Sequence, residues 1–304
     1  MKPGPETLPP ASRPVYEGRR VSIGMFRCPP HYPHWTRPSE AEQRPFFVFP
    51  RVPVQITHVG ERPLVADAAR VMFYNRAQIY TRRALCERGD ECEWFAVEPA
   101  AMHEAVTEFD AFAPDDPMRP FRLRCGQSDA RMYLRQRRLF NLLRSGAANE
   151  SLAVEEAVFG LMRGVIALSY GFGVAAPAGD MRRAASTHEE LVEAIRALLA
   201  TQPGLRWTLD EIASRVGRSP YHICRVFRER SGSTIHACLT QLRLHLALEA
   251  LERPDTDLAS LALELGFSNH AHFTSAFRRA FGVCPSSLRG RIGAARRRAA
   301  RAGF

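Results

Sequence analysis

The chain has 304 residues and a formal net charge of +10, and Lys2 is the one lysine among its 42 basic residues. A hydrophobic content of 45% over that length leads to the expectation of two domains, each with its own core. Seven cysteines, an N-terminus without an apolar signal stretch, and an apolar run from Val158 to Ala178 broken by Arg163, Gly164, Gly171, Gly173 and Pro177 argue against a disulfide framework, a secretory leader and a membrane span. A cytoplasmic protein with no membrane partner is expected.

From Pro45 to Glu98, short apolar runs alternate with polar or glycine-bearing turns. Phe46–Pro50, Val52–His58, Val71–Tyr74, Gln78–Thr81 and Glu93–Val97 are expected strands, with Arg119–Arg124 as a further one. Strands this short and this closely spaced predict a small barrel or sandwich. The period then changes. Asp129–Arg144 and Glu150–Tyr170 read as helices, carrying Met132, Leu139, Leu142 and Leu143, then Leu152, Val158, Leu161, Val165 and Leu168 on apolar faces. Gly171–Ser186, rich in Gly and Ala, reads as a linker.

Two constellations in this first part bear on chemistry. Cys28, His31 and His34, with Cys86 and Cys92 further on, are ligand types suited to zinc. Their spacing matches no known finger, so ordinary buried or surface thiols are the expectation, with no metal and no cofactor. The aromatics Phe73, Tyr74, Tyr80 and Trp94 either line a ligand pocket or fill the core. Paired carboxylates, a nucleophile elbow and a glycine-rich phosphate loop are all missing, so no catalytic site is expected.

The last third of the chain says nearly the same thing twice. Leu209–Ser219 reads L-D-E-I-A-S-R-V-G-R-S, and 49 residues later Leu258–Ser268 reads L-A-S-L-A-L-E-L-G-F-S. Each is followed by F-R-x-x-x-G, at Phe227–Gly232 and Phe277–Gly282. In the first copy Leu209, Ile212, Ala213 and Val216 share one helical face. Thr208 with Glu211 forms a capping box, Gly217 ends the helix, and Ser219 caps a second one with Pro220 at its first position. Ile223, Val226 and Phe227 then face inward. The second copy repeats this with Leu258, Leu261, Ala262, Leu265 and Gly266, a cap at Ser268 or Asn269, and Phe273, Phe277 and Phe281 as anchors. Such a unit is a helix-turn-helix, whose second helix is shaped for a DNA major groove. Thr234–Glu252 has no breaker and reads as one rigid connecting helix, closed by Pro254. About 18 residues span about 27 Å, the right order for groove faces about 34 Å apart.

The segment from about Thr187 to Arg289 resembles the DNA-binding domain of the AraC/XylS family of transcription regulators. The resemblance rests on Leu209-x-x-Ile212-Ala213, Ser219-Pro220-x-x-Ile223-x-Arg225-x-Phe227, Gly232, Arg243, Leu244, Ala247 and Leu251, and on the long string from Leu265 through Phe273, Phe277, Gly282 and Pro285 to Arg289. Cys238 and Leu288 stand where the family usually has an aromatic. The resemblance implies that Tyr221, Cys224 and Arg225 read bases in the first half, and His270, Ala271, Thr274 and Ser275 in the second. It implies phosphate contacts from Ser219, His222, Arg228, Arg243, Ser268, Asn269 and Arg278, helped by helix N-termini. For Arg225 the competing reading is a surface salt bridge with Glu229, and for His222 mere exposure. Bulk charge adds little: residues 187–304 carry 17 arginines against 11 acidic residues, and five of those arginines lie in 291–304. That tail either attracts phosphates or is simply solvated.

Strands, then helices, then the paired motif is the element order of the sugar-responsive members of that family. The resemblance thus implies an α+β, two-domain fold: a small cupin-like β-barrel plus helices, followed by an all-α double helix-turn-helix. The expected divisions are 1–126 for effector sensing, 127–170 for a helical dimerisation segment, 171–186 for the linker, 187–290 for DNA binding and 291–304 for the Arg-rich tail. The implied partners are double-stranded DNA, a small-molecule effector, a second copy of the chain and RNA polymerase. The function expected is sequence-specific transcriptional activation. Dimerisation through Leu139, Leu142 and Leu143 competes with those helices merely covering the barrel. Two rival functions stand beside this one: a thiol- or metal-responsive DNA-binding sensor, and a non-specific architectural DNA-binding protein.

Overall fold

In a computed structural model of the chain, the described residues are 12–30, 32, 35, 37–39, 43–144, 150–171, 182–253 and 255–301. The first part is built from β1 (Ser12–Glu17), β2 (Val21–Cys28), β3 (Phe46–Pro50), β4 (Val54–His58), β5 (Leu64–Ala66), β6 (Arg70–Tyr74), β7 (Tyr80–Ala84), β8 (Asp90–Val97), α1 (Pro99–Thr107), β9 (Cys125–Gln127), α2 (Ala130–Arg144) and α3 (Ser151–Tyr170). A six-stranded antiparallel sheet, in the order β1-β2-β8-β3-β6-β9, faces a three-stranded sheet, β5-β4-β7. Strand alternation sorts the side chains. Phe46, Val48, Met72, Tyr74 and Ala96 meet Val54, Ile56 and Leu64 between the sheets. Phe47, Phe49, Val71, Phe73, Phe95 and Val97 point the other way, under α1, α2 and α3. Each such ring or branched chain stabilises by about 1.5–3 kcal/mol on burial.

The structure differs from the expectation in several places. The two sheets are not joined by a ladder among the described residues, so of the two expected forms, small barrel or sandwich, the structure is an open two-sheet one rather than the cupin-like barrel. Arg119–Arg124 makes no strand; the ladder with β6 begins only at Cys125, after the proline-bearing segment has ended. β1, β2, β5 and α1 were not expected. β2 hides its alternation because Gly24 interrupts it, and the indole of Trp94 lies where a Cβ on Gly24 would stand, 2.3 Å away. Leu139 and Leu143 are buried in their own domain and only Leu142 of that trio is exposed. The face expected to meet a second copy is therefore turned onto the sheet and its covering helices.

The second part comprises α4 (Arg182–Thr201), α5 (Leu209–Val216), α6 (Pro220–Ser231), α7 (Ile235–Ala250), α8 (Leu258–Glu264), α9 (His270–Phe281) and α10 (Pro285–Arg301). The capping chemistry is as read: Thr208 and Glu211 form a reciprocal box, and Ser219 accepts from the His222 N–H. Gly217 is left-handed at φ 64° and Gly266 at φ 74°, a conformation that other residues adopt only under strain. Asn269, rather than Ser268, caps α9. α4 starts inside the segment expected to be linker, while residues 172–181 lie outside the described residues. The backbone of the Arg-rich tail continues α10 as far as Arg301. Cys238 and Leu288, the two departures from the aromatic pattern, are both buried.

The connecting helix α7 lies against α2. The Tyr133 ring stacks on His245 at 4.2 Å, and its hydroxyl donates to Glu249 at 2.6 Å. Arg51 reaches Glu249 at 3.2 Å and Glu91 at 2.8 Å. Arg137, nearly inaccessible, bridges Glu93 on β8 to Glu252 just beyond α7. A second set ties α4 to the small sheet: Arg70 to Glu193 at 2.6 Å and Arg196 to Asp67 at 2.9 Å. Burying that many charges costs free energy, and it is tolerable only because each has a partner in place.

Candidate nucleic-acid interface

The inward anchors decide what α6 and α9 leave outside. Ile223, Val226 and Phe227 are buried on α6, which leaves Tyr221 (77% exposed), Arg225 and Arg228 on the outer surface. Phe273, Ala276, Phe277 and Phe281 do the same for α9, where His270, Ala271, Ser275 and Arg278 are exposed. His270, Ala271, Thr274, Ser275, Arg278 and Arg279 line one open concave surface. The Thr274 hydroxyl is buried and has no hydrogen-bond partner among the described residues. Of the positions inferred for base reading, Tyr221, Arg225, His270, Ala271 and Ser275 are therefore exposed, while the Thr274 hydroxyl is not. Cys224 is half-buried against the α4–α7 core, which limits its reach compared with Tyr221 and Arg225.

Arg225 donates to both carboxylate oxygens of Glu229 at 3.0 Å. An exposed i,i+4 pair of this kind stabilises by about 0.3–0.5 kcal/mol. A bidentate contact to guanine is worth about 1–3 kcal/mol, so the pair holds Arg225 in place without preventing it from reaching DNA. Ser219 and Asn269 use their side-chain oxygens as helix caps, and Ser268 shares a hydrogen bond with His272 Nδ1 at 3.0 Å. All three stand at helix starts, where backbone N–H groups face outward. The His222 ring meets His188 edge-on at 5.7 Å and is partly covered.

Arg243 requires a correction. Expected on phosphate, it is buried, donates to the carbonyls of Pro203 and Leu205 at 2.8 and 2.6 Å, and lies over the Phe267 ring. These two carbonyls belong to the α4–α5 turn, outside any helix ladder, and the guanidinium supplies their donor. Its role is to tie the α4–α5 turn to the turn preceding α9.

Between the two sheets of the first part lies a cavity of about 810 Å³. Of the aromatics singled out in the sequence, Tyr74, Tyr80 and Trp94 line it. Phe73 does not. Adjacent residues on β6 point to opposite sides, and Phe73 stacks on Phe121 at 4.8 Å under the helices. Sequence reasoning also missed Arg82 and Asp90, both buried in the cavity wall. The signal was the phase of β7, which puts Tyr80 and Arg82 on one face. Burial pushes the Asp90 carboxyl up to about 6 although Arg82 opposes it, and pushes the Cys28 thiol up to about 11. Cys92 is raised by burial as well. Thiols held in that form are poor nucleophiles and poor metal ligands. His31 and His34 lie outside the described residues.

A family model described as a helix-turn-helix domain matches residues 212–291. The chain is 33% identical over 105 residues to the RCS-specific HTH-type transcriptional activator RclR of Escherichia coli, covering 34% of this chain and 37% of that protein. It is 33% identical over 81 residues to the probable transcription factor PqrA of Proteus vulgaris, covering 27% and 66%. These matches span less than two thirds of each relative's length. Among solved structures, an AraC-type regulator from Chromobacterium violaceum is 28% identical with a TM-score of 0.32, covering 36% of this chain and 96% of that one. No described helix is long and apolar enough to cross a membrane.

Proposed function

From a C-terminal region that is an AraC-type helix-turn-helix domain, we propose that the whole protein is a transcription regulator that reads two successive major-groove faces and answers to a small molecule held in its first domain. The observation that carries this is the pairing of α6 and α9, each with its polar face outward, on either side of α7. At 16 residues, α7 is about 24 Å long. A stiff spacer of that length fixes one reading helix relative to the other, which a non-specific binder does not need. The cavity between the sheets supplies a place for the effector, with Tyr74, Tyr80 and Trp94 in its wall.

The sign of regulation is taken as activation, in line with the activator role of RclR, with RNA polymerase and a second copy of the chain as partners. The inward Leu139 and Leu143 move any contact between copies to other surfaces. Thiol-based sensing is the weaker reading, because Cys28 and Cys92 are held protonated by burial. Selection of genomic fragments by the purified full-length protein at near-physiological salt tests the proposal. Enrichment of a few sites with paired half-sites is the expected result. Uniform recovery of fragments, with binding that vanishes steeply with salt, would mean a non-specific DNA binder.

A further inference from the structure

The wall of the inter-sheet cavity is chemically lopsided. Most of it is apolar: Phe46, Val48, Val54, Ile56, Met72 and Tyr74 surround the space. One fixed charge enters from β7. The Arg82 side chain is 8% exposed, sits 4.2 Å from the centre of the Phe26 ring, and donates to the Tyr80 hydroxyl at 2.9 Å. Its nearest carboxylate, Asp90, approaches Nε only to 3.7 Å, too far for a hydrogen bond. A guanidinium has five N–H donors in a planar fork, and among the described residues only Tyr80 and the Cys28 thiol accept hydrogen bonds from this one. Arg37 and Arg44 stand exposed at the rim.

Each alternative ligand class meets an obstacle. Ser12, Ser22, Ser39, Gln43 and Tyr80 supply donors and acceptors on part of the lining, but the face made by Phe46, Val48, Val54, Ile56 and Met72 offers a sugar none. A cation would meet three arginines, Arg37, Arg44 and Arg82, against two carboxylates, Glu17 and Asp90. A phosphate dianion would need several donors and would lie beside Asp90. A volume of about 810 Å³ falls in the range of sites that enclose drug-sized molecules with an apolar lining and few polar anchors.

We propose that the cavity takes a small organic carboxylate with an apolar body, and that Arg82 is the residue that selects its charge. The carboxylate oxygens accept from N–H groups of Arg82 that no described residue takes, the apolar body fills the space between the sheets, and Asp90 gives up its loose hold on the guanidinium. This deepens the effector reading above and rests on it.

Isothermal titration of the full-length protein with two matched pairs decides the matter: 4-phenylbutanoate against 4-phenylbutanamide, and octanoate against octanamide. Each acid is expected to bind at least about tenfold more tightly than its amide. Arg82→Gln should abolish that preference while leaving amide binding in place. The double variant Arg82→Gln/Asp90→Asn removes both charges, so no unpaired Asp90 is left to unfold the domain, and it should behave in the same way. Equal binding of acid and amide by the wild type would overturn the carboxylate while leaving the cavity a ligand site. A preference that survives in both variants would move the selection to the rim arginines. If no probe binds and none changes DNA affinity in a parallel retention assay, the carboxylate and the effector reading fall together.

Discussion

Arg225 and Arg243 show why residue type alone misleads on a basic protein. Both match a family position, both are arginines on helices of the same domain, and only one is available to DNA. Arg225→Ala should cost about 1–3 kcal/mol at the cognate site and far less on scrambled DNA; equal losses in a retention assay would make it a phosphate contact. Arg243→Ala should instead lower stability by about 2 kcal/mol, because two turn carbonyls lose a charged donor. Its measure is chemical denaturation, and a normal midpoint with weakened DNA binding would restore the phosphate role. His245 gives a third case. Its inaccessible ring, stacked on Tyr133, has its pKa lowered to about 3 by burial. The unfolded chain binds that proton near pH 6.5, so the stability contributed by the neutral ring is full above pH 6.5 and declines as pH falls towards 3. Between pH 6.5 and 5 the wild type should lose about 2 kcal/mol more than His245→Gln. Parallel stability curves for the two proteins would show that the folded ring takes up its proton over the same range as the unfolded chain, so that burial does not lower its pKa.

At the level of elements, the helices were the most legible part, because period and punctuation agree. Thr208, Gly217 and Ser219 mark three boundaries by chemistry that acts within a few residues, and the structure puts the caps where that chemistry asks. The strands were legible where one face is aromatic, as in β3, β6 and β8. They were hidden where pairing rather than local pattern decides: β2 is specified by its ladder with β8 and by the fit of Gly24 under Trp94. Register explains the mixed result for the cavity. Phe73 and Tyr74 are adjacent and equally aromatic, and only the sheet says which one faces the space. The tail belongs here too, since Arg291 lies within α10 rather than beyond it. Removing the residues after Gly290 should reduce the salt slope of DNA binding by about 2, close to one for each phosphate that the tail neutralises. An unchanged slope would leave the tail without a part in binding.

Across the whole molecule, β8 is the wall that the cavity shares with the DNA-binding half. Asp90, Cys92 and Trp94 face the cavity. Glu93, between them, faces the other way and accepts from Arg137 and Gln136, with Arg51 3.6 Å off. Arg137 and Arg51 then hold Glu252 and Glu249 at the C-terminal end of α7. A side chain pushed in the cavity is therefore only a step or so along one strand from the carboxylate that anchors the connecting helix. Because these charges are nearly dry, removing one partner strands the other and costs about 3 kcal/mol for each pair broken. Glu249→Gln/Glu252→Gln keeps the side-chain volume and leaves Arg137 bound to Glu93 and Arg51 to Glu91, so neither half should unfold by itself. The expected result is faster hydrogen exchange in α2 and in the last turns of α7, with the strands of the small sheet unaffected. Matched exchange in the double variant and the wild type would mean that stacking of Tyr133 on His245 and the α4 pairs hold the two halves unaided. Any coupling from the cavity to α6 and α9 would then have to run through the contacts of α4, where Glu193 and the Asp67 that Arg196 holds are the residues to change next.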